Sequence, residues 1–248
     1  MRTRLHFLRF EFKYVLPGDL RREVERELGY FMQLDPFVGD RPDRRYFVRS
    51  LYYDGPTFAH YFEKVDGELH RGKFRLRTYT AHAGDGTAAF LELKGRHDAM
   101  VFKHRAQLTR GAGSGFTVGE AGGADAVLAR VQTGDVASRF RFAAERRMLR
   151  PVMLVDYERR PYVSKYDPEF RLTFDDNLRA TPTESLFPDP STSSRRVLPG
   201  FTIMEVKFRH HVPAWFHRVL QGHGLRRQSV SKICKAMEAW RLSPHMEF

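Results

Sequence analysis

A single cysteine, Cys234, occurs in the 248 residues, so no internal disulfide can form and no thiolate zinc cluster can be built. No run of about 18 apolar residues is present, which leaves no candidate for a membrane-spanning helix. The opening stretch, MRTRLHFLRFEFKYV, lacks the apolar core and small-residue cleavage site of a secretory leader. A cytoplasmic location is therefore expected. Acidic side chains are in deficit: 30 Asp and Glu against 42 Lys and Arg leave a formal net charge of +12. That excess calls for a polyanionic partner, whether nucleic acid, an anionic membrane surface or a phosphate-rich small molecule. The 11 histidines show no metal-ligand spacing, and His210-His211 reads as surface. The Gly-rich stretch 111–125 lacks the GK[ST] ending of a phosphate loop and reads as a flexible connection.

What is present is a set of short strand-like segments carrying charges at strand spacing, in five of them two residues apart. They are EFKY (Glu11, Lys13), FRLRTY (Arg75, Arg77), LELKGR (Glu92, Lys94), VFKHRAQL (Lys103, Arg105), DYERRPY (Arg159), FRLTFD (Arg171, Asp175) and IMEVKF (Glu205, Lys207). Residues i and i+2 of a strand share a face. Each pair thus places its charges on one side, with apolar residues between them facing the other. One such strand is a solvated face; seven imply a sheet with one charged face and a ligand for it.

The pattern predicts strands over 5–16, 46–53, 73–80, 88–96, 100–109, 152–162, 170–175 and 201–209. Helices are expected over 19–32 with Asp19 as N-cap, 57–64, 126–132, 137–149, 212–221 and 229–242. The chain, residues 1–248, reads as one α+β domain built on an antiparallel barrel of about eight strands with flanking helices. A closed sheet has no free edge and can enclose a ligand. The alternation predicts a charged, wet interior and an apolar exterior covered by helices.

In this order the motifs resemble the VTC domain, the polyphosphate polymerase domain of the vacuolar transporter chaperone complex. That domain belongs to the triphosphate tunnel metalloenzymes, relatives of the CYTH group. The resemblance runs from Phe10 to about Trp240 and includes SLYYDG and SVSKICKAM. It implies a tunnel-shaped antiparallel barrel whose cations hold a tri- or polyphosphate and whose carboxylate binds a divalent metal. By motif match, Lys13, Arg75, Arg77, Lys94, Lys103, Arg159, Arg171, Lys207 and Lys232 become the expected catalytic and phosphate-binding residues. Arg105 and Ser231 join them as phosphate contacts. Glu205 becomes the expected ligand of Mn²⁺ or Mg²⁺, with Glu11 and Glu92 as further candidates. The same residues have plainer readings: Glu92/Lys94 and Glu205/Lys207 as same-face ion pairs, and Asp156, Glu158 and Asp175 as partners that orient arginines.

The implied activity is ATP-dependent transfer of phosphate to a growing polyphosphate chain. A metal-dependent triphosphatase and a non-catalytic polyphosphate-binding module are the alternatives. Hydrolytic CYTH relatives open with ExExK, whereas this chain reads Arg9-Phe10-Glu11-Phe12-Lys13, with Arg in place of the first Glu. Loss of that carboxylate weakens a multi-metal hydrolytic site and favours the polymerase. No nucleic-acid partner is expected, because the cations are set by strand alternation toward one interior and not along an outer stripe.

Overall fold

The computed structural model describes residues 10–84, 87–97, 100–109 and 116–242. The elements run β1 (Phe10–Pro17), α1 (Gly18–Leu28), β2 (Met32–Leu34), β3 (Tyr46–Asp54), α2 (Ala59–Val65), β4 (His70–Thr78), β5 (Phe90–His97) and β6 (Met100–Gln107). They continue with α3 (Ala124–Leu128), α4 (Asp135–Arg147), β7 (Arg150–Ser164), β8 (Arg171–Thr181), β9 (Arg195–Arg196), β10 (Phe201–Phe208), α5 (Ala214–Gly222) and α6 (Lys232–Ala239). Eight strands form one sheet in the order β1-β10-β8-β7-β3-β4-β5-β6, with β2 added on β7 and β9 on β8. Every pairing is antiparallel.

The expected eight-stranded antiparallel sheet with flanking helices is present, but its closure differs. The end strands β1 and β6 approach each other without a hydrogen-bonded ladder. A side chain of the next strand ties the two ends together: Lys94 Nζ of β5 donates to both oxygens of Glu11 on β1, at 2.9 and 3.0 Å. The sheet is thus a curled, incomplete barrel.

Register explains which residues face inward. Arg75 is paired with Glu92, and Glu92 with Arg105; Lys94 is paired with Lys103; Lys13 is paired with Glu205. Directly paired residues share a face. The intervening Phe74, Leu76, Leu91 and Leu93 face outward and pack with Phe140 of α4. Leu172, Phe174, Met204 and Val206 pack outward with Val24 of α1 and Phe216 of α5. Burying each such side chain contributes about 1.5–3 kcal/mol, so the two outer layers carry much of the stability. Gly95 is required by close approach: a Cβ there would lie 1.9 Å from the ring of Phe102, its paired residue on β6.

The interior is not charged throughout. Met153, Val155 and Ile203 share the inward parity of Tyr157, Arg159 and Glu205, and they pack with Ile233, Cys234, Ala236 and Met237 of α6. Helix α6 therefore fills the apolar part of the lumen, and Cys234 is a buried apolar packing residue.

Boundaries differ from expectation where local chemistry is ambiguous. Helix α1 starts at Gly18 after Pro17, and Asp19 lies inside its first turn, paired with Arg22, so it is not the N-cap. Strand β8 extends to Thr181, past the positive-φ residue Asn177. Strands β2 and β9 were not expected, since segments of three and two residues carry no periodicity. Residues 5–9 and 111–115 of the expected strand and loop lie outside the described residues. No helix among the described residues is long and apolar enough to cross a membrane.

Candidate functional site

The charged part of the lumen is a cavity of about 480 Å³. Its lining carries the basic residues Lys13, Lys64, Arg71, Lys73, Arg75, Arg77, Lys94, Arg96, Arg159, Lys207, Arg227 and Lys232, against the carboxylates Glu11 and Glu205. The first turn of α6, from Ser231 to Ile233, closes one side. Two ion clusters organise the walls.

The first cluster surrounds Glu92, which is fully buried on β5. Arg75 Nε and Nη2 donate to Glu92 Oε2 at 2.9 and 2.7 Å. Lys103 Nζ lies 2.5 Å from Oε1, Arg105 Nε 3.5 Å from Oε1, and Arg77 Nε 3.8 Å from Oε2. Arg77 is aimed by Ser50 Oγ, which accepts from Nε at 3.1 Å and Nη2 at 3.0 Å, and by Tyr157 Oη at 3.2 Å. Arg75 also donates to Tyr52 Oη at 3.1 Å. One carboxylate thus serves four cations, leaving this wall with a net positive charge.

The second cluster is closer to balance. Asp175 takes both arms of Arg159, at 2.6 and 2.7 Å, and Arg159 Nη2 also reaches Glu205 Oε2 at 3.2 Å. Lys232 Nζ bridges the two carboxylates, 2.6 Å from Asp175 Oδ2 and 2.5 Å from Glu205 Oε1. Lys13 and Lys207 each lie 3.7 Å from Glu205. Lys13 also donates to the carbonyl of Val230 at 3.1 Å, tying β1 to the approach to α6.

Burial alone would raise the carboxyl pKa values of Glu11, Glu92 and Glu205, but the surrounding cations hold all three far below the usual range. They are ionised at neutral pH. Burial lowers the Lys207 ammonium to about 8, against the upward pull of Glu205. Burial likewise draws Lys103 down to about 7 against Glu92; its side chain is 42% exposed, so water tempers that pull. Tyr52 would be raised by burial, yet Arg75 and Arg77 bring it down to about 8.

The expected residues Lys13, Arg75, Arg77, Lys94, Arg159, Lys207, Lys232 and Ser231 line the cavity together with Glu11 and Glu205. Lys103 and Arg105 reach the site through Glu92. Arg171 departs from expectation: it has the inward register, opposite Lys207, but lies exposed at the strand end and donates to the Pro168 carbonyl. Position along a strand cannot be read from periodicity, which fixes only the face. Glu92 spends its oxygens on Arg75 and Lys103 and not on the expected Lys94, which pairs with Glu11 instead. Asp175 orients Arg159, and Asp156 holds Arg49 through a bidentate pair at 3.0 and 2.7 Å.

Sequence reasoning missed Ser50, Tyr52, Tyr157, Lys73, Lys64, Arg71 and Arg227 as parts of the site. Ser50 and Tyr52 alternate with outward Leu51 and Tyr53, so their parity was a usable signal. Lys64 and Arg227 come from a helix and a loop, where no such signal exists. Arg9 lies outside the described residues.

The VTC domain family model matches residues 8–241. The chain belongs to the VTC domain family. No curated protein matches its sequence significantly. Among solved structures, a candidate adenylate cyclase from Bacillus halodurans is 13% identical, aligned over 90% of this chain and 94% of its own, with a TM-score of 0.52. A candidate adenylyl cyclase from Hippeastrum, described as having a dominant triphosphatase activity, is 11% identical over 93% of this chain and 96% of its own, with a TM-score of 0.49. The Bacillus likeness establishes the fold of this VTC domain and nothing about its chemistry.

A divalent metal was expected from the family resemblance, and the donor set bears on it. Among the described residues no three His, Cys, Asp or Glu side chains converge as an all-protein metal site. Mg²⁺ and Mn²⁺ commonly take only one or two carboxylates and complete their shell with phosphate oxygens and water. Glu205 lines the cavity wall and is the carboxylate placed for that mode, where a metal carried in on phosphate oxygens would share it with Lys232 and Arg159.

Proposed function

We propose that this VTC domain is an ATP-dependent polyphosphate polymerase. The observation that supports it is the cavity itself: a lumen with twelve basic side chains against two carboxylates, most of them presented by strands. Such a surface suits a chain of phosphates better than any neutral or cationic ligand. Arginine grips phosphate oxygens through a planar fork and lysine through a compact charge.

Phosphoryl transfer needs positioning and charge neutralisation more than covalent help from the protein. Arg75 and Arg77 are locked by Glu92, Ser50 and Tyr157, so they would meet the phosphates with little reorganisation. Arg159 and Lys232 are fixed in the same way by Asp175 and Glu205. A terminal oxygen of the acceptor chain attacks the γ-phosphorus of ATP in line. A new P–O bond forms, the bond to the β,γ-bridging oxygen breaks, and ADP leaves with the electron pair. Lys13, Lys94 and Lys207 would steady the acceptor chain. Glu205, with Glu11, would hold Mn²⁺ or Mg²⁺, which when bound neutralises phosphate oxygens. No side-chain nucleophile is needed.

The direct test is the purified protein with ATP and Mn²⁺, its products resolved on a gel. The polymerase gives a ladder of long phosphate chains, and Arg75→Ala and Glu205→Ala abolish it. Orthophosphate alone would replace the polymerase with a triphosphatase. Tight binding of polyphosphate without turnover would leave a binding module.

A further inference from the structure

A second cavity lies outside the lumen, enclosing about 550 Å³ and sharing no lining residue with the first. Its position follows from strand alternation in β8: Asp175 faces the tunnel, while its neighbour Asp176 lines the outer cleft. Five arginines line this cleft: Arg21, Arg22, Arg45, Arg179 and Arg196, with Asp176 as the single acid among its walls.

The charges there are incompletely matched. Arg21 pairs with Glu25 at 2.9 Å and lies 3.6 Å from Asp176; Arg45 pairs with Glu158 at 2.5 Å; Arg22 pairs with Asp19. Arg179 and Arg196 have no acid partner among the described residues. Among the described residues the Arg179 side chain donates to Ser194 Oγ, at 3.3 Å. Yet these two are directly paired across β8 and β9, on one face. Like charges directly opposite each other in a sheet destabilise it, so an anion between them would relieve an existing repulsion. Arg195, the next residue, turns away: its guanidinium lies 4.2 Å from the Trp240 ring and donates to the Ala239 carbonyl. The split of Arg195 from Arg196 makes the cleft a specific grouping and not a diffuse basic surface. Two residues on its border, Asn177 and Leu198, hold positive φ values of 54° and 51°, a conformation costly for leucine that keeps this rim in its shape.

We propose that this cleft is a second anion site, taking an inorganic phosphate chain on the outside of the barrel, separate from the lumen. Guanidinium forks from two strands and a helix would grip phosphate oxygens on several sides, which a single carboxylate could not exploit.

Titration of the purified protein with inorganic tripolyphosphate at low ionic strength tests this. Two binding events are expected. The double variant Arg179→Ser/Arg196→Ser removes one event and leaves the other at unchanged affinity, as does ATP turnover if the lumen is the polymerase site. Arg75→Ala removes the other event alone, so failure of the cleft and failure of the tunnel reading are told apart. Arg195→Ser serves as the control and keeps both events. Arg22→Ser, at a side chain 65% exposed, weakens the outer event several-fold and covers the case in which the double variant misfolds. A double variant that titrates as the native protein does would overturn the proposal. So would a cleft that is filled by duplex DNA and not by tripolyphosphate.

Discussion

The two walls of the tunnel solve the same problem in opposite ways. Around Glu92, one carboxylate holds Arg75, Arg77, Lys103 and Arg105 in place and leaves the wall strongly positive. Around Glu205 and Asp175, two carboxylates are shared by Arg159, Lys232, Lys13 and Lys207, so each carboxylate answers two cations where Glu92 answers four. The first wall is unfinished without an anionic ligand. The second keeps a smaller excess, and a ligand there must compete with the close ion pairs of Arg159 and Lys232. The difference teaches that a cation count alone does not locate a phosphate. What matters is how many cations each buried carboxylate has already satisfied.

The largest expected effect comes from breaking the wall around Glu205 and Asp175. Lys232→Ala leaves Asp175 and Glu205 facing each other with Arg159 as their main counter-charge, and removing one partner of a buried ion cluster costs about 3–5 kcal/mol. Denaturant unfolding should show that loss, and added tripolyphosphate should not restore it, because the exposed need is for positive charge. Glu92→Gln breaks the other wall and should also destabilise, by a similar or slightly smaller amount. Here the four cations repel one another, so tripolyphosphate should raise the unfolding temperature of Glu92→Gln by more than it raises that of the native protein. Equal ligand shifts in the two variants would erase the distinction between the walls.

A smaller effect concerns pH. Lysine is charged below its pKa, and Lys207 falls to about 8 through burial. Raising the pH from 7 to 9 therefore removes its charge and weakens tripolyphosphate binding. Lys207→Arg, which stays charged throughout, should remove only part of that decline when binding is measured across the range, because Lys103 and Tyr52 titrate in the same window. The same shift favours folding of the free protein as pH rises from about 8 toward the ordinary lysine value, because the unfolded chain then holds more protons than the native one. The smallest effect is Arg171→Ser. At an exposed strand end it should change stability by no more than about 0.5 kcal/mol and leave turnover near native.

Much of the site was legible because strand parity is a two-state code. Once Lys13, Arg75, Glu92 and Glu205 are placed on strands, their common face follows, and the register then brings them together. Depth along the strand is a different quantity. It depends on where each strand ends, which is why Arg171 lies at the rim while Asp175, four residues on, is fully buried. The apolar half of the lumen escaped notice for a related reason. Met153, Val155 and Ile203 read as ordinary core, and only the docking of α6 shows that the core they form is inside the barrel. Tyr52 and Tyr53 illustrate both sides: alternation separates them, but only the fold tells which one meets Arg75.

Seven of the eight joints between neighbouring main strands of this wall are ladders of backbone hydrogen bonds; the eighth, between β1 and β6, has no ladder among the described residues, and Lys94 of β5 reaches past it to Glu11 of β1. Opening that joint breaks no amide–carbonyl ladder among the described residues. Breathing of the wall should therefore start there, and the β1 and β6 amides turned toward the gap should exchange with deuterium before those of any interior strand.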